Sequence, residues 1–271
     1  MTSLLIGILF GVAQAAAPQT GSSRPWVITD NSFLVEEAFN QEPKIYQNIF
    51  NWSRTRDVWQ MTFTQEWPVP AIRHQLSYTL VYSGVDNVDR FGDMLANYRL
   101  QVLEEGPGRP AFSPRVSLIL PTGSRDIGAH QTGVQVNLPF SKQDKDFYFH
   151  WNAGFTWLPE AKAAGTGDAH ANLMSPFLAG STIYRLRPMI NLMLEHLVIF
   201  NQSFDGVETS RATLYTLSPG VRGGWNVGEG QIILGLAAPT TWGGGETDTG
   251  LFLYFSYELP FKDTKKGGQA P

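Results

Sequence analysis

The chain contains no cysteine, which excludes disulfides, thiolate nucleophiles and cysteine metal ligands. It also lacks any run of about 18 apolar residues, the length a membrane-crossing helix requires. No basic excess is present: 20 Lys and Arg face 24 Asp and Glu, a formal charge of -4, so nothing calls for a nucleic-acid partner. The mean hydropathy of -0.15 is that of a soluble chain. A membrane β-barrel gives the same value, because only every second residue of its strands meets lipid.

What is present is alternation. Between Gly250 and Phe261, the residues Leu251, Leu253, Phe255, Tyr257, Leu259 and Phe261 share one side of an extended chain, and Phe252, Tyr254, Ser256 and Glu258 share the other. The same period runs through Phe147 to Leu158, through Gln75 to Tyr82 and through Gly133 to Phe140. Twelve candidate strands follow, at 44–52, 57–67, 73–84, 96–104, 113–121, 130–141, 146–158, 172–184, 188–199, 210–225, 230–239 and 250–261. Most exceed the five or six residues usual in globular proteins and approach the nine to eleven of a tilted transmembrane strand. The expected fold is all-β, a transmembrane antiparallel up-and-down barrel of about 12 strands.

With the last strand ending in the periplasm, the links 240–249, 200–209, 159–171, 122–129, 85–95 and 53–56 fall outside the cell, and 226–229, 185–187, 142–145, 105–112 and 68–72 face the periplasm. Nine of these eleven follow the rule of long external loops and short periplasmic turns; 105–112 is too long and 53–56 too short. Trp59, Trp67, Trp157, Trp225 and Tyr257 lie near strand ends, where interfacial girdles form. A soluble β sandwich would instead bury such residues.

The chain divides into 1–17, a signal peptide; 18–43, a periplasmic or plug segment; 44–261, the barrel; and 262–271, a tail. Leu4 to Val12 is apolar and Ala13-Gln14-Ala15 offers small residues for cleavage, although the positive flank typical of export signals is missing. Within the second segment, Asn31 or Ser32 can cap a short helix, with Glu36 and Glu37 in its first turns and Leu34 and Ala38 on one face.

The polar phase of the strands, assigned to the lumen, carries Arg99, Arg115, His150, Glu195, Arg222 and Glu258. Interior ionisable groups either set selectivity along a pathway or pair with one another to fill the space, Arg99, Arg115 and Arg222 against Glu195 and Glu258. Twelve strands lie between filled small barrels and open porins, so the bore is narrow. A serine hydrolase would need serine, histidine and an orienting group together. His74 and Ser77 face opposite sides of their strand, and His150 with Asn152 has no local serine, so no enzyme activity is expected. The histidines at 74, 130, 150, 170 and 196 show no metal spacing, and neither cofactor nor metal is expected.

Two stretches, Phe112-Ser113-Pro114-Arg115-Val116-Ser117-Leu118-Ile119-Leu120-Pro121-Thr122-Gly123 and Tyr257-Glu258-Leu259-Pro260-Phe261, resemble the bacterial outer-membrane transporter family of the phenol meta-degradation pathway type. The run from Asp30 to Glu42 is similar to N-terminal segments of some outer-membrane proteins of this kind. The resemblance implies a monomeric barrel moving small, aromatic compounds, and it brings no catalytic motif. The expected function is an outer-membrane channel passing a small solute by passive diffusion, hydrophobic or aromatic in character. Its partners are outer-membrane lipid, the solute and the barrel-assembly machinery. The alternative is a non-conducting structural or adhesive barrel with a filled lumen.

Overall fold

The computed structural model describes residues 27–28, 32–85, 88–124, 131–163 and 168–261. The expected signal peptide at 1–17 and the tail at 262–271 lie outside them. Sixteen strand segments follow in order: β1 (Ile45–Thr55), β2 (Val58–Trp67), β3 (His74–Val85), β4 (Val88–Phe91), β5 (Met94–Leu100), β6 (Ala111–Phe112), β7 (Arg115–Leu120), β8 (Gly133–Asp144), β9 (Phe147–Lys162), β10 (His170–Arg187), β11 (Ile190–Phe204), β12 (Thr209–Val227), β13 (Gly230–Ala237), β14 (Thr240–Gly243), β15 (Glu246–Thr249) and β16 (Leu251–Pro260).

These segments build a closed antiparallel barrel of 12 strands. β1 pairs with β16 from Ile45↔Pro260 to Arg54↔Leu251, and β11 pairs with β12 from Ile190↔Gly223 to Phe204↔Thr209. Among the described residues each of the twelve long strands is paired on both sides, which a bilayer demands because lipid offers no hydrogen bonds. The four short segments are pieces of wall strands. β4 pairs with the upper half of β3 and β5 with its lower half, and β14 pairs with β12 above the end of β13. Pro114 and Pro239 mark two of the interruptions, where a residue without an N–H breaks the ladder. We call the end at which β1 begins and β16 finishes the near end, and the opposite rim the far end.

The wall is taller on one side. β9 to β12 run for 16, 18, 15 and 19 residues, so 159–162, 170–171, 200–204 and 209 belong to strands and not to the external loops expected there. Cross-strand pairing continues past the apolar band because each added residue still finds a ladder partner, for example Gln202↔Arg211. The long near-end link at 101–110 folds on itself through the bridges Leu103↔Phe112 and Gly106↔Arg109.

Inside and outside are reversed relative to a soluble sandwich. In β11, Leu192 and Leu194 are 43% and 47% exposed, while Glu195, next along the strand, is fully buried. In water that arrangement would forfeit the transfer energy of each leucine and desolvate a carboxylate for no gain. In hydrocarbon it is the stable one. Leu234 and Leu236 of β13 and Leu251 and Leu253 of β16 repeat it. Aromatic pairs gather toward the two rims of the outer face. Tyr46 with Phe261 and Trp67 with Tyr78 lie near one end, and Trp59 with Tyr82 and Tyr215 with Trp242 near the other, as interfacial girdles require. Among the described residues no helix is long and apolar enough to cross a membrane.

Candidate functional site: a lumen threaded by residues 32–42

The lumen is occupied by the chain's own N-terminal segment. Residues 32–42 form no helix, contrary to the expectation raised by Asn31, Ser32 and the glutamates. Their backbone groups bond to wall side chains instead of to one another. Leu34 and Val35 donate to Glu195 Oε1 at 2.9 and 3.1 Å, Glu36 to Asn152 Oδ1 at 2.8 Å, Ala38 to Ser141 Oγ at 2.7 Å and Gln41 to Gln75 Oε1 at 2.9 Å. A short isolated helix is marginal, and a wall of fixed acceptors captures the N–H groups that would have closed it.

Five of the six candidate residues act on this segment, directly or through one intermediary. Arg99, 3% exposed, uses its whole guanidinium fork. It donates to Asn40 Oδ1, Glu36 Oε1, the carbonyls of Glu37 and Phe39, and Gln75 Oε1. Arg115 Nε lies 2.7 Å from Glu36 Oε2, and its remaining nitrogens reach Asn97, Ser117 and Gln135. Glu195 accepts the two N–H groups named above. Glu258 Oε1 accepts from Gln41 Nε2 at 3.1 Å. His150 Nδ1 is 2.7 Å from Ser141 Oγ, the atom that also accepts from Ala38. Arg222, buried at 2%, stands beside Asn191, whose amide oxygen, suitably turned, accepts from its Nε at 3.2 Å. The expected pairing of Arg99 and Arg115 with Glu195 and Glu258 does not form. The arginines meet Glu36, because the threaded segment brings a carboxylate closer than the opposite wall does.

Glu36 is therefore the hub. Arg99, Arg115 and Asn137, whose Nδ2 donates at 2.7 Å, converge on its carboxylate. Burial pushes its pKa up, but Arg115, Arg99 and Asn137 outweigh burial and hold it below the usual glutamate range. From Phe33, beside Tyr254, the described segment runs to Gln41, beside Gln75 and Glu258, and joins β1 at the near end.

An apolar cluster seats the segment's other side. Ile28 and Phe33 pack with Ile49, Ile183, Met193, Ile233, Ala237, Phe252 and Tyr254, and the Phe33 ring lies 5.2 Å from that of Tyr254. A Cβ at Gly235 would overlap the Phe33 ring, so a residue without a side chain is needed there. Against the β1 to β7 wall, by contrast, a cavity of about 220 Å³ remains, lined by Asn51, Thr64, Glu66, Thr79, Asn97 and Arg115 among others. Its polar wall is cross-linked by Thr64 to Thr79 at 2.8 Å and by Asn97 to Ser77 at 3.1 Å. Farther toward the far end, the inward phase turns apolar. Leu158 faces Leu173, Ile199 faces Leu214, and Ile119 and Leu158 close over Gly133.

Sequence reasoning did not find Glu36 as a lumen ligand, nor Ser141 as the partner of His150. Ser141 and His150 face each other across β8 and β9, a register that no local motif displays. The pair resembles part of a hydrolase site. Both members are buried, and Ser141 is held by Ala38, so no substrate carbonyl can reach it in this arrangement.

Closed strand pairing, a lipid-facing exterior and a polar lumen define a transmembrane β-barrel of the outer-membrane type. Comparison with solved structures agrees. The chain is similar to an outer membrane channel from Pseudomonas putida F1, with a TM-score of 0.64 and 14% identity over 82% of this chain and 98% of that one. It is also similar to the NanC porin, with a TM-score of 0.50 and 8% identity over 79% of this chain and 100% of that one. At these identities the likeness is one of fold. No family model and no curated protein matches the sequence.

Proposed function

We propose that the chain is a channel of the bacterial outer membrane that passes a small solute by passive diffusion, with residues 32–42 as its constriction. The observation that carries this reading is the one-sided packing of the lumen. The inserted segment is sealed against β10 to β16 by apolar contacts, yet leaves the polar cavity of about 220 Å³ along β1 to β7. The apolar inward residues toward the far end favour a solute with a hydrophobic body, in keeping with the aromatic compounds implied by the transporter resemblance. Arg99, Arg115, His150, Glu195 and Glu258 govern passage by fixing the segment, and Arg222 by fixing the wall beside it. β16, closing on Phe261, supplies the element offered to the barrel-assembly machinery.

Planar-bilayer conductance of purified protein tests this. The expected result is a small conductance for the full chain and a several-fold larger one when residues 18–42 are deleted. Silence of both proteins, each shown to be folded, refutes it. The second reading, a non-conducting structural barrel, draws on the apolar cluster around Phe33, which fills part of the lumen as a core fills a soluble domain. It predicts silence from the full chain and from variants in which Arg115 or Arg222 is neutralised.

A further inference from the structure

Glu36 presents a carboxylate to three wall side chains, Arg99, Arg115 and Asn137, each with further contacts that limit its freedom. Arg115 Nη1 donates to Asn97 and Ser117 and its Nη2 to Gln135, which holds the guanidinium beside the Glu36 carboxylate as an ion pair. Arg99 Nη2 is tied to Gln75 and to the Phe39 carbonyl, which sets the plane that aims Nη1. Asn137 Nδ2 completes the set. The distances to Glu36 are 2.7 Å from Arg115, 3.2 Å from Arg99 and 2.7 Å from Asn137. A cradle of two guanidinium groups and an amide, Arg115 fixed by bonds to strands and Arg99 by Gln75 together with the segment's backbone, is a carboxylate site by its chemistry. It opens onto the lumen cavity, since Glu36, Arg99 and Arg115 all line that space, as do Phe33, Ile49 and Tyr254. The Glu36 side chain retains 18% exposure.

We propose that Arg99, Arg115 and Asn137 form a binding site for small monocarboxylates with an apolar body, and that Glu36 occupies it as an internal stand-in until such a solute competes it away. The inference rests on the channel reading and names its solute class. The carboxylate replaces that of Glu36 on the same three donors, and the apolar body lies along Phe33, Ile49 and Tyr254. A cationic solute of equal size finds the same donors repulsive.

Isothermal titration of the full chain in detergent, with sodium benzoate as the probe and benzylammonium chloride as the opposite-charge control, tests the site. Glu36→Ala vacates the cradle. It is expected to bind benzoate at least tenfold more tightly than the unaltered chain, and Glu36→Ala with Arg115→Gln is expected to lose that binding. Benzylammonium binds none of them. If Glu36→Ala does not fold, Glu36→Gln, which keeps the shape and removes the charge, is expected to shift binding in the same direction. No gain on removing the carboxylate, or binding that survives loss of Arg115, overturns the proposal. Conductance of the unaltered chain in potassium chloride separates the two readings. Conductance without benzoate binding by the variants removes this site and keeps the channel, whereas binding without conductance removes the channel.

Discussion

Replacing Arg99 by methionine should release the inserted segment while leaving the wall intact. Methionine matches the aliphatic stem of arginine and suits a partly apolar interior, but it lacks the guanidinium and cannot donate to Glu36, to the carbonyls of Glu37 and Phe39 or to Asn40. Bonds to charged groups contribute about 1.5–3 kcal/mol each, and not additively. Breaking a buried ion pair by removing one member costs about 3–5 kcal/mol, and that figure is the appropriate scale because Arg99 is 3% exposed. Opening of the segment would become about 10²- to 10³-fold more populated, since each 1.4 kcal/mol is a factor of ten. The assay is chymotrypsin cleavage between Phe33 and Phe39, whose rate follows the open population when reclosing is faster than cutting. Retarded migration of unheated protein in gels, together with circular dichroism, reports whether the barrel has remained closed. A cleavage rate within threefold of the unaltered chain, from a variant with an intact barrel, would refute the reasoning that Arg99 is the principal latch.

Three further outcomes follow from the same contacts. Because Glu36 titrates below an unfolded glutamate, its hold on the segment is complete above the usual carboxylate range and is lost as pH falls through that range toward its own lowered pKa; bilayer conductance should rise only on acidification through and below that range, and Glu36→Gln should abolish the step. Gly235→Leu forces the Phe33 ring from its seat, at a cost of about 1–3 kcal/mol, read as a lower thermal midpoint that disappears in a chain lacking residues 18–42. Leu194→Arg places a cation on the lipid face, where the penalty at mid-depth is about 2–4 kcal/mol; equilibrium unfolding into lipid vesicles should show it, and the same substitution at the rim residue Val207, 84% exposed, should not.

Alternation of side chains was sufficient to place Arg99, Arg115, His150, Glu195, Arg222 and Glu258 on the inward face, because a strand of fixed period has only two sides and the lipid side admits no charge. Strand number followed for the same reason. Strand length did not, since ladder pairing in β9 to β12 continues beyond the apolar band, and polar residues such as Gln202 and Arg211 carry no mark separating paired from looped backbone.

The amino-acid order alone thus determined the barrel and the orientation of its wall, as each choice was settled within a few neighbouring residues. Only the folded chain decided what the inward charges do. Glu36 meets Arg99 and Arg115 across separations of 63 and 79 positions (99 − 36 and 115 − 36), and contacts of that span are written in no local period. They exist because closing the barrel encloses a polar space whose donors, Arg99 and Arg115 among them, need acceptors, and the N-terminal segment is the piece of chain that supplies them.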